Sequence, residues 1–138
     1  MPALRRVLRV LLMVLTTFLA LTAFAGGVGL MARINAPPVE QLQGSFFQDF
    51  TLPGLALFVI VGGSALLASL LLIRGSKYAL LATLAAAIVI MFFEFVEVLV
   101  IGSPAGVART LQIFYYGLGT IIAVVASGIW FIDLREYH

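Results

Sequence analysis

The chain has 138 residues, of which 63% are hydrophobic and 10% are charged, and its formal net charge is +2. Soluble domains contain about 25% charged residues, so this composition indicates an integral membrane protein with a single domain over residues 1–138. The lack of cysteine excludes disulfides and thiolate metal sites, and the absence of a basic stripe with interleaved aromatics argues against nucleic-acid binding.

Four segments are apolar around their whole circumference and long enough for the roughly 20 residues that a spanning helix needs. A closed β-barrel would instead show short segments of alternating polarity. We therefore predict an all-α, antiparallel bundle of four transmembrane helices, over residues 10–31, 55–73, 78–101 and 111–132.

The first segment allows two interpretations. It follows Arg5 and Arg6 and contains the small residues Ala23 and Ala25, as a cleaved secretory signal would. Cleavage would leave three helices. The apolar run continues to Met31, beyond the usual length of a signal core, and this favours a retained first helix.

The one long predicted loop covers residues 32–53 and is expected outside the cytoplasm. Its aromatic residues Phe46, Phe47 and Phe50 have the spacing of one helical face, so the loop could lie in the membrane interface, re-enter the membrane or cover a ligand. Pro53 suits the first turn of the second helix, since its missing N–H costs no hydrogen bond there.

The positions of lysine and arginine predict the orientation of the bundle, because basic residues are retained on the cytoplasmic side. Two of the eight basic residues, Arg33 and Arg109, fall on the predicted outer side. We expect both termini to be cytoplasmic, in a bacterial inner membrane. The predicted inner side has Arg5, Arg6, Arg9, Arg74, Lys77 and Arg135.

The third segment contains Glu94 and Glu97, the only acidic or basic residues within the four apolar segments. An ionised carboxylate in hydrocarbon is costly unless it is paired, protonated or hydrated, so such residues mark candidate functional sites. The two glutamates are one helical turn apart and therefore project from neighbouring positions.

The fourth segment adds polar residues at the same depth. The short connection over residues 102–109 makes the third and fourth helices antiparallel neighbours. Spacings of three and four residues indicate that Gln112, Tyr115 and Tyr116 share one helical face. The sequence thus predicts an intramembrane polar cluster that includes Glu94, Glu97, Gln112, Tyr115 and Tyr116.

Two interpretations of this cluster stay open. In a structural role, Glu97 forms an ion pair with Arg33 or Arg109, and Glu94 accepts hydrogen bonds from Gln112 or a tyrosine. In a coupling role, mutual repulsion of the two carboxylates allows exchange of a proton for a cation. Binding of a lipid or small ligand is a third alternative.

Enzyme and cofactor signatures are lacking in the sequence. It has no zinc-protease motif, nucleophile elbow or phosphate-binding glycine loop. His138 is the only histidine, so one chain cannot supply the two axial imidazoles of a membrane haem. We predict no catalytic residue, no metal site and no cofactor.

The order of Phe46–Gly54, the Arg74–Lys77 turn, Glu94 and Leu111–Gly117 resembles small uncharacterised bacterial four-helix membrane proteins. The resemblance implies a membrane location and no particular activity. We expect a noncatalytic protein, surrounded by lipid, that forms a homo-oligomer or joins a partner subunit. The alternative is a small transporter or channel that couples cation or proton movement through Glu94 and Glu97.

Overall fold

The computed structural model describes residues 2–32, 51–103 and 106–136, where all regular structure is helical. The four helices are long and apolar enough to cross a membrane, which confirms the predicted all-α architecture and the number of helices of spanning length. They are α1 (Pro2–Ala32), α2 (Thr51–Arg74), α3 (Ala79–Ile101) and α4 (Val107–Glu136).

Three helices extend beyond the predicted bounds. Helix α1 begins at Pro2 instead of residue 10, α2 begins at Thr51, and α4 continues to Glu136. The 31 residues of α1 are about 46 Å long at 1.5 Å per residue, whereas the hydrocarbon layer is about 30 Å thick. An apolar segment measures only the part within lipid, so it underestimates a helix that continues into the headgroup layer.

Most of the predicted long loop, including Phe46, Phe47 and Phe50, lies outside the described residues. The part that is described, residues 51–53, belongs to α2. Pro53 is in the first turn of this helix, as predicted.

Helix α2 contains one π-helical turn over Leu57–Val61. The N–H of Gly62 bonds to the carbonyl of Leu57, five residues earlier, so this turn holds one residue more than an α-helical turn. Just before it, a Cβ placed at Gly27 of α1 would lie 2.7 Å from the carbonyl oxygen of Gly54. The backbones of α1 and α2 thus touch at a point where only glycine fits.

A short glycine turn joins α2 to α3. Gly75 has φ 69°, and its N–H bonds to the carbonyl of Leu72 at 3.2 Å, while the N–H of Ser76 bonds to that of Leu71 at 3.0 Å. This is the left-handed C-cap arrangement that glycine favours at helix ends. It makes α2 and α3 antiparallel neighbours.

The helices form a four-sided bundle. Helix α1 packs against α2 and α4, and α3 packs against the same two helices, while α2 and α4 lie diagonally apart in the described part of the chain. Leu12, Leu19, Ile90 and Ile122 fill the interior, and large apolar side chains cover the outside. Nε of Arg5 lies 2.7 Å from Oδ1 of Asp133, so the start of α1 and the end of α4 share one end of the bundle.

Candidate functional site

The interior side of α3 brings Glu94 into the bundle. The buried positions of this helix follow one another at spacings of three and four residues, and Glu94 continues them toward the Ile101 end. Its side chain is therefore only 5% exposed and faces neighbouring helices instead of lipid. The other buried residues of α3 are Ala79, Thr83, Ala86, Ala87 and Ile90.

Gln112 of α4 and Glu97 of α3 complete a polar cluster with Glu94. Gln112 is 4% exposed, and its Nε2 donates a hydrogen bond of 3.0 Å to the carbonyl of Gly102. Glu97, half-buried one turn after Glu94, lies within interaction range of both Glu94 and Gln112. The structure thus brings together three of the five residues expected in the cluster; we call them the outer cluster, after the orientation that the sequence predicts.

Two buried oxygen atoms of the outer cluster have no hydrogen-bond donor among the residues that the structure describes. They are Oε2 of Glu94 and Oε1 of Gln112. An unsatisfied buried polar group costs about 1–3 kcal/mol, so both atoms favour any species that supplies a donor or a positive charge. The smallest such species is a proton. When it binds the Glu94 carboxyl group, it changes an acceptor oxygen into a donor.

The two tyrosines are placed differently from each other. Tyr115 is half-buried and meets the ring of Phe114 edge-on, with centroids 5.1 Å apart. The Phe114 ring in turn contacts Phe18 of α1 at 5.9 Å. Tyr116 is 47% exposed on the outside of the bundle, so it lies apart from the outer cluster.

Of the two arginines expected to pair with Glu97, the structure describes Arg109. Arg109 is exposed, and its Nε and Nη2 donate to the carbonyl oxygen of Ser103 at 3.0 and 2.6 Å. Its guanidinium group therefore closes the connection between α3 and α4 and forms no ion pair with Glu97. Arg33 lies outside the described residues.

The opposite end of the bundle contains a feature that sequence reasoning missed. Arg5 binds Asp133 of α4, and Arg9 donates through Nη2 to the carbonyl of Leu72 in α2. Pro2, Arg5, Arg6 and Arg9 line a depression of about 300 Å³. Their spacing is that of one helical face, but a predicted helix start at residue 10 assigned these residues to no face.

The chemistry of the outer cluster is limited by its ligands. Among residues 2–32, 51–103 and 106–136, no three histidine, aspartate or glutamate side chains gather in a way that would hold a metal ion. Two carboxyl groups and one amide can share a proton or offer oxygen atoms to a monovalent cation. No protein-family model, curated protein or solved structure matches this chain.

Proposed function

We propose that this chain is a noncatalytic integral membrane protein that serves as a subunit of a homo-oligomer or of a larger membrane complex. Its site of action would be a bacterial inner membrane, with both termini in the cytoplasm. Clustering of six of the eight basic residues on the predicted inner side supports this orientation. The outward surface of α4 supports assembly.

A seam of small or β-branched residues runs along this surface. Its members, at spacings of three and four residues, are Gly117, Thr120, Val124 and Ser127, which we call the α4 seam. The last three are exposed, and a Cβ placed at Gly117 would meet no atom within 4 Å. Lipid provides no hydrophobic drive for helix association, so membrane helices associate through small residues that allow close backbone contact.

The observation that carries the proposal is the unpartnered hydroxyl group of Ser127. Thr120 donates its hydroxyl to the Tyr116 carbonyl at 2.9 Å, whereas Ser127 has no hydrogen-bond partner in the described part of the chain. Next to it, a Cβ at Gly128 would also meet nothing within 4 Å. An exposed hydroxyl beside open space in hydrocarbon favours a polar contact with a second helix.

On the interior face of α4, a glycine permits close contact with a neighbouring helix. A Cβ placed at Gly119 would lie 2.7 Å from Cγ of Met91 and 3.1 Å from the carbonyl oxygen of Ala87. Gly119 thus permits α4 to approach α3 within one chain. Gly117 and Gly128 have no such neighbour, and contact with another subunit would give them the same purpose.

Disulfide cross-linking tests the proposal directly, because the natural chain contains no cysteine. We expect Ser127→Cys to form a covalent dimer when membranes are oxidised. The matched control is Ala85→Cys, at an exposed small residue of α3. Ala85 lies six positions from Ala79, where α3 begins, and Ser127 lies six positions from Asp133 at the same end of the bundle, so the two cysteines are at similar depths. This control should remain monomeric.

The cross-linked product also identifies the partner. A product of twice the chain mass indicates a homo-oligomer, and a product of another mass that requires Ser127→Cys indicates a partner subunit that has its own cysteine at the contact. Equal cross-linking of both variants would contradict assembly through the α4 seam, and no cross-linking in either would contradict a homo-oligomer that meets at Ser127.

A second candidate function rests on a separate observation, the two donorless oxygens in the outer cluster. In this alternative, Glu94 and Glu97 bind a proton or cation, and the chain is a small transporter or channel. Two neighbouring carboxylates repel each other in a low-dielectric site, and either a proton or a cation relieves the repulsion.

Flux through reconstituted vesicles tests the alternative. If the chain transports, replacing both Glu94 and Glu97 by Gln should abolish proton or cation flux. Asp133→Asn is the control, because it removes an acid at the other end of the bundle. Unchanged flux in the double variant, with unchanged assembly, would eliminate transport through these residues.

A further inference from the structure

The end of the bundle that holds Arg5 projects on one side. Arg9 bonds to the carbonyl of Leu72, two residues before the end of α2 at Arg74, so α1 passes the α2–α3 turn at this level. The seven residues from Pro2 to Leu8 continue for about 10 Å at 1.5 Å per residue. This projecting part of α1 reaches α4 through the ion pair between Arg5 and Asp133.

The arginines of the depression differ in how they are neutralised. Arg5 donates to both carboxylate oxygens of Asp133, at 2.7 and 3.3 Å. In the described part of the chain, Arg9 binds a carbonyl group and no carboxylate, which leaves its positive charge uncompensated there. Arg6 is exposed, and within residues 2–32, 51–103 and 106–136 it has no hydrogen-bond or ion-pair partner. Two uncompensated guanidinium groups therefore border one depression.

An apolar strip leads from this depression toward the hydrocarbon layer. Val10 follows Arg6 by one helical turn on the same face and is 51% exposed, and Val14 follows by another turn and is 59% exposed. A ligand that binds Arg6 thus meets a cationic group first and an uninterrupted apolar surface below it. This order of charge and apolar surface matches a phospholipid, whose phosphate lies above its acyl chains.

We propose that the depression lined by Pro2, Arg5, Arg6 and Arg9 binds the phosphate group of an anionic phospholipid, with an acyl chain along Val10 and Val14. Guanidinium groups bind phosphate oxygens through paired N–H donors. Arg6 is the principal ligand because its donors are unoccupied, and Arg9 adds charge from one turn deeper. A zwitterionic lipid brings its own cation and is bound less tightly.

Lipid titration followed by native mass spectrometry tests this site. The full chain in detergent is mixed with phosphatidylglycerol or phosphatidylcholine, and the dissociation constant of the first bound lipid is measured. We expect preference for phosphatidylglycerol, and Arg6→Gln should reduce it about fivefold, since one basic residue near a membrane surface contributes about 1 kcal/mol. Arg109→Gln removes the same charge from an exposed position at the opposite end and should leave the preference unchanged.

Three results would overturn the assignment. Equal affinity for the two lipids would exclude an anionic headgroup site. An equal loss in Arg6→Gln and Arg109→Gln would indicate diffuse surface charge. Displacement of phosphatidylglycerol by millimolar inorganic phosphate would indicate a phosphate-ion site that makes no use of the apolar strip. Arg6→Gln breaks no contact in the described structure, so circular dichroism should show an unchanged helix content.

Discussion

The two ends of the bundle treat charge in opposite ways. At one end, Glu94 is buried among helices with an oxygen that has no donor in the described part of the chain, and Arg109 binds a backbone carbonyl. At the other end, Arg5 and Asp133 form an ion pair whose side chains are 37% and 29% exposed. Charge within the span is costly and therefore sensitive to its surroundings, whereas charge in the headgroup layer is screened and tolerant. Substitutions at the two ends should differ accordingly.

The largest expected effect is that of Glu94→Lys. A lysine at this position becomes neutral only by losing a proton, and while it stays charged its ion pair with the half-buried Glu97 requires both charges to be desolvated. We expect the bundle to lose more than about 3 kcal/mol of unfolding free energy, as measured by denaturant titration in detergent. Arg6→Glu, a reversal of charge at the exposed end, should change it by less than about 0.5 kcal/mol. Similar losses in the two variants would contradict the contrast between the ends.

A smaller loss of unfolding free energy is expected from Gly119→Leu. This substitution would push α3 and α4 apart close to the outer cluster, at the end of the bundle where substitutions should be costly. The new side chain would collide with Met91 and with the carbonyl of Ala87. Overpacking of this kind costs about 1–3 kcal/mol, measurable in the same titration. Gly117→Leu is the matched control two residues away, and it should preserve the monomer's stability because open space surrounds Gly117.

The two glycine variants also separate folding from assembly. Gly117→Leu should weaken the oligomer, as read from its mass in mild detergent, while the single chain stays folded. A destabilised Gly117→Leu monomer would mean that the outward face of α4 serves the fold of one chain.

The smallest effect should come from Asp133→Asn, which removes the ion pair with Arg5. Exposed ion pairs contribute about 0.2–1 kcal/mol, and salt screens them. The loss should therefore disappear when unfolding is measured at high ionic strength. A loss that persists in high salt would show that this end of the bundle depends on the fixed geometry of the pair.

The sequence was sufficient to predict four helices and the meeting of Glu94, Glu97 and Gln112. Apolar length identifies each spanning helix, and a short connection forces α3 and α4 together, so depth along one helix predicts depth along the next. The helix ends were less predictable, because a helix continues wherever its backbone is hydrogen-bonded, and Arg5, Arg6 and Arg9 extend α1 beyond the apolar segment.

Other features depend on competition between partners that a linear pattern does not contain. The guanidinium group of Arg109 binds the nearby Ser103 carbonyl, which requires no burial, in preference to Glu97 within the bundle. Four residues turn a helix by about 400°, which is one full turn and about 40° more. Tyr116 is therefore rotated from Gln112 and falls at the edge of the face that buries Gln112. The π-helical turn in α2 has no sequence signature in Leu57–Val61.

That extra residue in α2 sets the angular register between the two halves of the helix. Deleting Ile60 would restore regular α-helical bonding, but it would also rotate Thr51–Ala56 by about 100° relative to Gly62–Arg74. Gly54 would then turn away from Gly27, and a larger residue would face the point where the two backbones touch. A single-residue deletion that makes the hydrogen bonding of α2 more regular would thus disrupt the close contact between α1 and α2.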